Sequence, residues 1–150
     1  MRIKESLDKN IEHLEEEARM VLPGIQALFG FQLIAVFNQR FADMGQTLQL
    51  LHLVALCSTA LATLLVLLPA AYHRQTEPTE ISDFLCKLGT RSLTLSMLTV
   101  AVSLSLDLLV IAQVITLSAP IAVAVAGTLF AMLISSWFVF PQLMKHSSRR

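Results

Sequence analysis

Asp107 is the residue to begin from, because it is the only charged side chain between residues 92 and 142. Ser92, Ser96, Thr99 and Ser103 lead up to it in steps of four, three and four, and Asp107 follows after four more. That spacing places all five on one face of a helix. A carboxylate at the centre of a membrane helix costs about 2.5–3.5 kcal/mol. The eleven Leu, Val and Ile residues of segment 93–111 return roughly 3–7 kcal/mol at ~0.3–0.6 each. The segment therefore tolerates its acid, provided the acid faces other helices and not lipid. Two chemistries fit the stripe. One is a proton or cation path ending at Asp107. The other is a packing seam, in which small hydroxylated side chains let helices approach and hydrogen-bond. His52, Gln32 and Arg40 are the candidate partners at similar depth. An Asp–His pair exchanges protons, whereas an Asp–Arg or Asp–Gln contact simply neutralises or satisfies the acid. Asp107, His52, Gln32, Arg40, Ser103 and Thr99 together form the candidate polar site.

Four apolar segments have to position these residues. Hydrophobic residues make up 55% of the 150-residue chain and charged residues 15%, against roughly 25% charged in a soluble domain. The bilayer core requires about 20 apolar residues per helix. Segments 20–38, 48–72, 92–117 and 119–143 meet or approach that length, and unpaired backbone groups in hydrocarbon require them to be helical. The expected fold class is an all-α bundle of four transmembrane helices in one membrane domain.

Two amphipathic pieces accompany the crossings. Residues 3–20 carry Leu7, Leu14 and Val21 at heptad spacing, with Ile11, Ala18 and Ile25 beside them. Glu12, Glu15, Glu16 and Glu17 occupy the opposite side. This predicts a cytoplasmic helix that lies along the membrane interface or, the favoured reading, packs on its own bundle or on a partner, either another copy or a different membrane protein. Pro23 suits a first turn, so a break is expected at Leu22 and Pro23. In the connection 73–91, Thr79 reads as an N-cap ahead of Glu80 and Asp83. A short interfacial helix over 79–89 follows, ending near Gly89. The third and fourth crossings join so tightly at Ser118 that they are antiparallel neighbours. Ala124, Gly127, Ala131 and Ser135 form a small-residue packing face on the fourth, with its neighbour open between this chain and a second copy. Pro141 is expected to end that helix.

Ten of the eleven Lys and Arg residues lie on the side that holds both termini and the 73–91 connection, and only Arg40 lies on the other. Cytoplasmic loops carry that excess, so both ends are expected inside. Residues 1–19 have no apolar core of signal-peptide form, and insertion is expected to be directed by the first crossing, uncleaved. Cys57 and Cys86 differ in depth, which speaks against a disulfide. His13, His52, His73 and His146 are spread over separate elements, which speaks against a metal site. Net charge is zero and gives no footprint for nucleic acid. No Gly-rich phosphate loop and no nucleophile elbow is present, so neither catalysis nor a cofactor is expected.

The run Leu22-Pro23-Gly24-Ile25-Gln26-Ala27-Leu28-Phe29-Gly30-Phe31-Gln32, with Phe37, Arg40 and Phe41 after it, resembles an uncharacterised family of small bacterial four-helix membrane proteins. So does Leu68-Pro69-Ala70-Ala71-Tyr72-His73-Arg74. The resemblance covers most of the chain and implies a bacterial origin and the four-crossing layout. Some relatives carry an automatic label of sodium:proton antiporter, and the family supplies no catalytic residues. The reading is then a multi-pass protein of the bacterial inner membrane, non-catalytic, acting through protein or lipid contacts. The alternative is a proton-coupled cation transporter or channel-like protein using Asp107.

Overall fold

The computed structural model describes residues 2–76 and 82–147, and those residues are helical apart from short connections. The order is α1 (Arg2–Val36), α2 (Gln39–Ala42), α3 (Gln46–Thr76), α4 (Asp83–Thr116), α5 (Ala119–Ile134), a π-helical turn (Ser135–Val139) and α6 (Phe140–Ser147). Four helical stretches, Lys9–Val36, Gln46–Thr76, Asp83–Thr116 and Ala119–Met144, are long and apolar enough to cross a membrane. Their outward surface is oily: Leu50, Leu53, Leu64, Ile121 and Val123 are all half or more exposed.

α3 and α4 form the closest pair and run antiparallel. Position 103 of α4 meets positions 55 and 59 of α3, and position 89 meets position 69. α1 runs parallel to α4, as the contacts of Gln32 with Asp107 and of Leu7 with Cys86 require. α5 packs on α4. Small residues set the α3–α4 spacing: Ala55, Thr59 and Ala62 on one side and Ser96, Ala101 and Ser103 on the other are fully buried. A larger core cluster of Ile25, Ala62, Val66 and Leu93 lies nearer the termini, flanked by Leu14, Ala18, Leu22 and Val100.

The expected break at Leu22 and Pro23 does not occur. α1 is one helix of 35 residues with Pro23 inside it. Its inward stripe of Leu14, Ala18, Leu22, Ile25 and Gln32 passes straight through the proline in register, so packing holds both halves in line. Proline removes one backbone bond, and neighbouring helices support the strand of helix around it. Segment 3–20 is therefore the continuation of the first crossing and not a separate surface helix. At 1.5 Å per residue α1 is about 50 Å long.

The interfacial helix is corrected in the same way. α4 is capped by Ser82, whose side chain accepts the Leu85 N–H at 3.1 Å, and runs from Asp83 without interruption to Thr116. The Thr79 cap falls outside the described residues. Gly89 is not a helix end but a crossing point: a Cβ there would sit 3.0 Å from Leu14 Cδ1 and 3.8 Å from Pro69 Cβ. Tyr72 and Phe84 close the same end of the α3–α4 pair, with ring centroids 5.3 Å apart.

Pro141 also fails to stop its helix. The π turn immediately before it carries a Phe140 N–H to Ser135 C=O bond, and α6 continues to Ser147. The wider turn relieves the clash between a proline ring and the preceding carbonyls. The small-residue face finds no neighbour among the described residues of its own chain. Ala122 and Ala126 pack inward, whereas Ala124, Gly127, Ala131 and Ser135 are exposed, and nothing lies within 4 Å of a Cβ built on Gly127. α5 buries Ala122 and Ala126 and leaves Ile121, Val123 and Met132 outward, and the stripe takes no part in packing among the described residues.

The α4–α5 turn forces Leu117 into the left-handed region at φ 54°, with an N–H to Gln113 C=O bond. An L side chain pays about 1–2 kcal/mol for that conformation, and Leu117 is 84% exposed, so packing returns little. Leu117→Gly is expected to raise stability by about 1 kcal/mol, read as a higher unfolding midpoint in detergent.

Candidate functional site

Gln32, His52, Ser103 and Asp107 come from three helices, yet they meet in one cluster near the end of the bundle that carries both short connections. Gln32 is 97% buried by virtue of its 3% exposure, His52 is 6% exposed and Ser103 is sealed. Asp107 keeps 17% of its side chain open. Each polar atom has a direction that the chemistry dictates. Gln32 Nε2 donates one hydrogen to Ser103 Oγ at 2.8 Å and the other to Asp107 Oδ2 at 2.6 Å. Ser103 Oγ donates to the Ala55 carbonyl at 2.9 Å. Thr59 Oγ1 lies 2.6 Å from Ser103 Oγ and 3.2 Å from the same Ala55 carbonyl, so the two hydroxyl hydrogens are shared among these three oxygens.

His52 closes the ring. Its Nε2 lies 3.0 Å from the Gln32 backbone carbonyl, an atom that only accepts, so Nε2 carries a hydrogen. Nδ1 then faces Asp107 Oδ1 at 3.4 Å. Phe41 holds the imidazole edge-on, with ring centroids 5.3 Å apart. Every donor in the cluster is now assigned, and one place is left for a proton, between Nδ1 and Oδ1. Either partner can hold it: imidazolium beside carboxylate, or neutral imidazole beside carboxylic acid. Without that proton two lone pairs oppose each other. Gln32 Oε1, meanwhile, is buried and accepts no hydrogen bond from the described residues.

The cluster is open on one side. Beside it lies a groove of about 620 Å³, lined by Asp107, His52 and Gln32 together with apolar side chains such as Phe31, Leu108 and Ile111. Toward the termini the way is shut by the Ser103–Thr59 contact and by buried Ala55, Ala62 and Ser96.

The remaining candidates divide. Arg40 sits on α2 and lines the mouth of the groove, but among the described residues no ion pair joins it to Asp107. Its backbone is tied to the Asn38 side chain instead, and the acid already has Gln32 and His52. Thr99 bonds back to its own helix at Ser96 C=O, 2.8 Å, as do Ser92 to Gly89 and Ser96 to Leu93. The lower stripe is thus a packing seam, and only Ser103 and Asp107 reach across to other helices. Thr59 joins the cluster without having been singled out. The signal was present, since His52, Ala55, Thr59 and Ala62 repeat at three- and four-residue steps and form the inward face of α3. Among the described residues no three His, Cys, Asp or Glu side chains converge as metal ligands would.

The model of a family described as "Family of unknown function (DUF6328)" matches residues 2–141. No curated protein and no solved structure matches the chain.

Proposed function

From the premise that this chain belongs to DUF6328, a family of unknown function, we propose that it is a non-catalytic membrane protein that exchanges one proton at the Asp107–His52 pair, in the manner of a proton-coupled cation carrier. The observation that carries this reading is the closed set of hydrogen bonds around the pair. Gln32, Ser103, Thr59 and the His52 Nε2–H are all committed, so uptake and release are confined to one proton between Nδ1 and Oδ1. An ionisable side chain within a membrane helix is ordinarily there for such work. Access from one side and closure on the other is the arrangement of a carrier in one of its two states, with the Ser103–Thr59 seam as the element that separates for the second.

In this reading the four apolar stretches lie in the bacterial inner membrane. The ten-to-one distribution of Lys and Arg supports placing both termini in the cytoplasm, and the groove then opens to the outer half. The three longest helices have 35, 31 and 34 residues, more than the roughly 20 that the bilayer needs. Their surplus projects into the cytoplasm as a helical extension tied together at Leu14 and Gly89.

Two measurements test this. Nitrogen NMR of the His52 ring in the reconstituted protein is expected to show Nε2 protonated throughout and one proton leaving the Asp107–His52 pair as pH rises. In liposomes, a sodium or pH gradient is expected to drive proton movement through the wild-type chain. A pair that neither takes up nor releases a proton at any pH at which the protein stays folded sinks the proposal.

A second reading, contact with a partner chain through residues 3–20, rests on the exposure of Glu12, Glu15, Glu16 and Glu17. The apolar side of that segment is already taken by the bundle, so the acidic face is what remains for a partner.

A further inference from the structure

We propose that the groove beside Asp107 binds a hydrophobic ammonium ion, a protonated amine with an apolar body, whose N–H groups take the place of the proton shared by Asp107 and His52. This deepens the proton-exchange reading and rests on it.

The volume, about 620 Å³, falls within the ~300–1,000 Å³ typical of small-molecule sites. The groove lies over α4 with α1 on one side and α5 on the other, since Phe31, Leu108, Ile111 and Leu129 all line it. It opens sideways: Phe31 is 72% exposed and Ile115 75%. A ligand dissolved in the bilayer can therefore enter without crossing water, and it will meet hydrocarbon walls almost everywhere.

Chemistry at the floor selects the polar end. Two atoms there accept hydrogen bonds and have no committed donor once the exchangeable proton leaves, Asp107 Oδ1 and His52 Nδ1; Gln32 Oε1 is buried and without a donor among the described residues. No uncommitted donor stands beside them. The Gln32 amide hydrogens go to Ser103 and Asp107, and the His52 Nε2–H goes to a backbone carbonyl. A carboxylate oxygen beside an imidazole nitrogen suits a group that brings both positive charge and several N–H bonds. An ammonium does so, and an acid or an aldehyde does not. The titratable side chains lining the groove are Asp107, His52 and Arg40. Arg40, on α2 at the mouth, is exposed and reaches water, where its repulsion of a cation is screened. α1 and α5 contribute only neutral side chains to the groove.

Competition for one site makes amine affinity depend on pH. Where the pair is protonated, each unit of added pH is expected to tighten binding about tenfold, with one proton released per amine bound.

The test uses the full chain in lipid nanodiscs, with octylammonium, octanoate and octanol as probes. Octylammonium is expected to bind saturably at one per chain, with that pH dependence, and the other two are expected only to partition into lipid. Ile111→Trp fills the groove without touching the cluster, because Ile111 is 53% exposed and makes none of its hydrogen bonds. It is expected to weaken octylammonium at least tenfold while the His52 titration persists. Saturable binding of octanoate in preference to the amine, equal binding of octanol, or full amine binding by Ile111→Trp overturns the assignment. If the Asp107–His52 pair releases one proton and octylammonium does not bind, the groove assignment falls and proton exchange stands. If the pair never exchanges a proton, both fall.

Discussion

Asp107→Asn is expected to leave the bundle folded and to abolish its proton exchange. The replacement keeps the shape of the side chain. Its carbonyl oxygen can still accept from Gln32 Nε2, which lies 2.6 Å from Oδ2. Its amide can donate to His52 Nδ1 across the 3.4 Å gap. All partners stay satisfied, so stability should change by less than about 1 kcal/mol, the scale of one ordinary hydrogen bond. What disappears is the place for a mobile proton. The imidazole becomes locked neutral, with Nε2 donating to the Gln32 carbonyl and Nδ1 accepting from the new amide. Ring NMR should show no titration step, and liposome flux should fall to the background of empty vesicles. Asp107→Leu separates charge from hydrogen bonding. It strands a Gln32 N–H in the interior, which costs about 1–3 kcal/mol, and a lower unfolding midpoint should accompany the lost flux. Wild-type flux in folded Asp107→Asn would refute the role assigned to this acid.

Ser103→Leu is expected to be the most destabilising single change in the crossing segments. Ser103 is completely buried and joins three helices through Gln32, Thr59 and the Ala55 carbonyl. Removing the hydroxyl leaves a Gln32 Nε2–H without its acceptor, at about 1–3 kcal/mol, while Thr59 Oγ1 keeps the Ala55 carbonyl at 3.2 Å. Forcing a leucine into the α3–α4 seam adds roughly 1–3 kcal/mol of overpacking, because Ala55 and Ala62 on the facing helix are also sealed. A loss of about 4 kcal/mol is a large share of the stability of a single domain, and the unfolding midpoint in detergent should drop accordingly. Thr94→Leu provides the contrast. Thr94 is exposed and bonds only to its own helix at Thr90 C=O, so its replacement should lie within about 0.5 kcal/mol of wild type. Equal losses for the two variants would show that the seam is not held together at Ser103.

Much of the site could be read before any tertiary information. The steps from Ser92 to Asp107 define a helix face whatever surrounds it, and an acid amid leucines has to turn away from lipid. Gln32 and His52 were legible as partners because each stands a short distance inside the same ends of its segment. Arg40 satisfied the same depth argument and is nevertheless not a partner of Asp107. Depth along a helix comes from counting residues, whereas which way a side chain faces depends on how the helix is rotated against its neighbours. Thr59 was overlooked for the converse reason. Its face is announced by His52, Ala55 and Ala62, but a lone threonine in an apolar run gives no sign of reaching a serine 44 positions away.

Prolines and glycines show the same division. Pro23, Gly89 and Pro141 are local stop signals, and each stands inside a continuing run of helix. A local preference of about 1–3 kcal/mol yields to the packing of a long inward stripe, to a close helix crossing or to one π turn.

The sequence by itself determined that the chain makes four apolar helices, which of its ends share a side, and that Asp107 stands on a hydroxyl-bearing face. Those are properties of periodicity and charge segregation, carried by neighbours a few residues apart. Only the tertiary structure decided that Gln32, His52, Ser103 and Asp107 converge, that Gly127 and Ala131 face outward, and that a groove opens beside the acid. Contacts across 71 and 75 residues depend on helix rotation and register, and these are set by the packing of all the helices together and not by any segment alone.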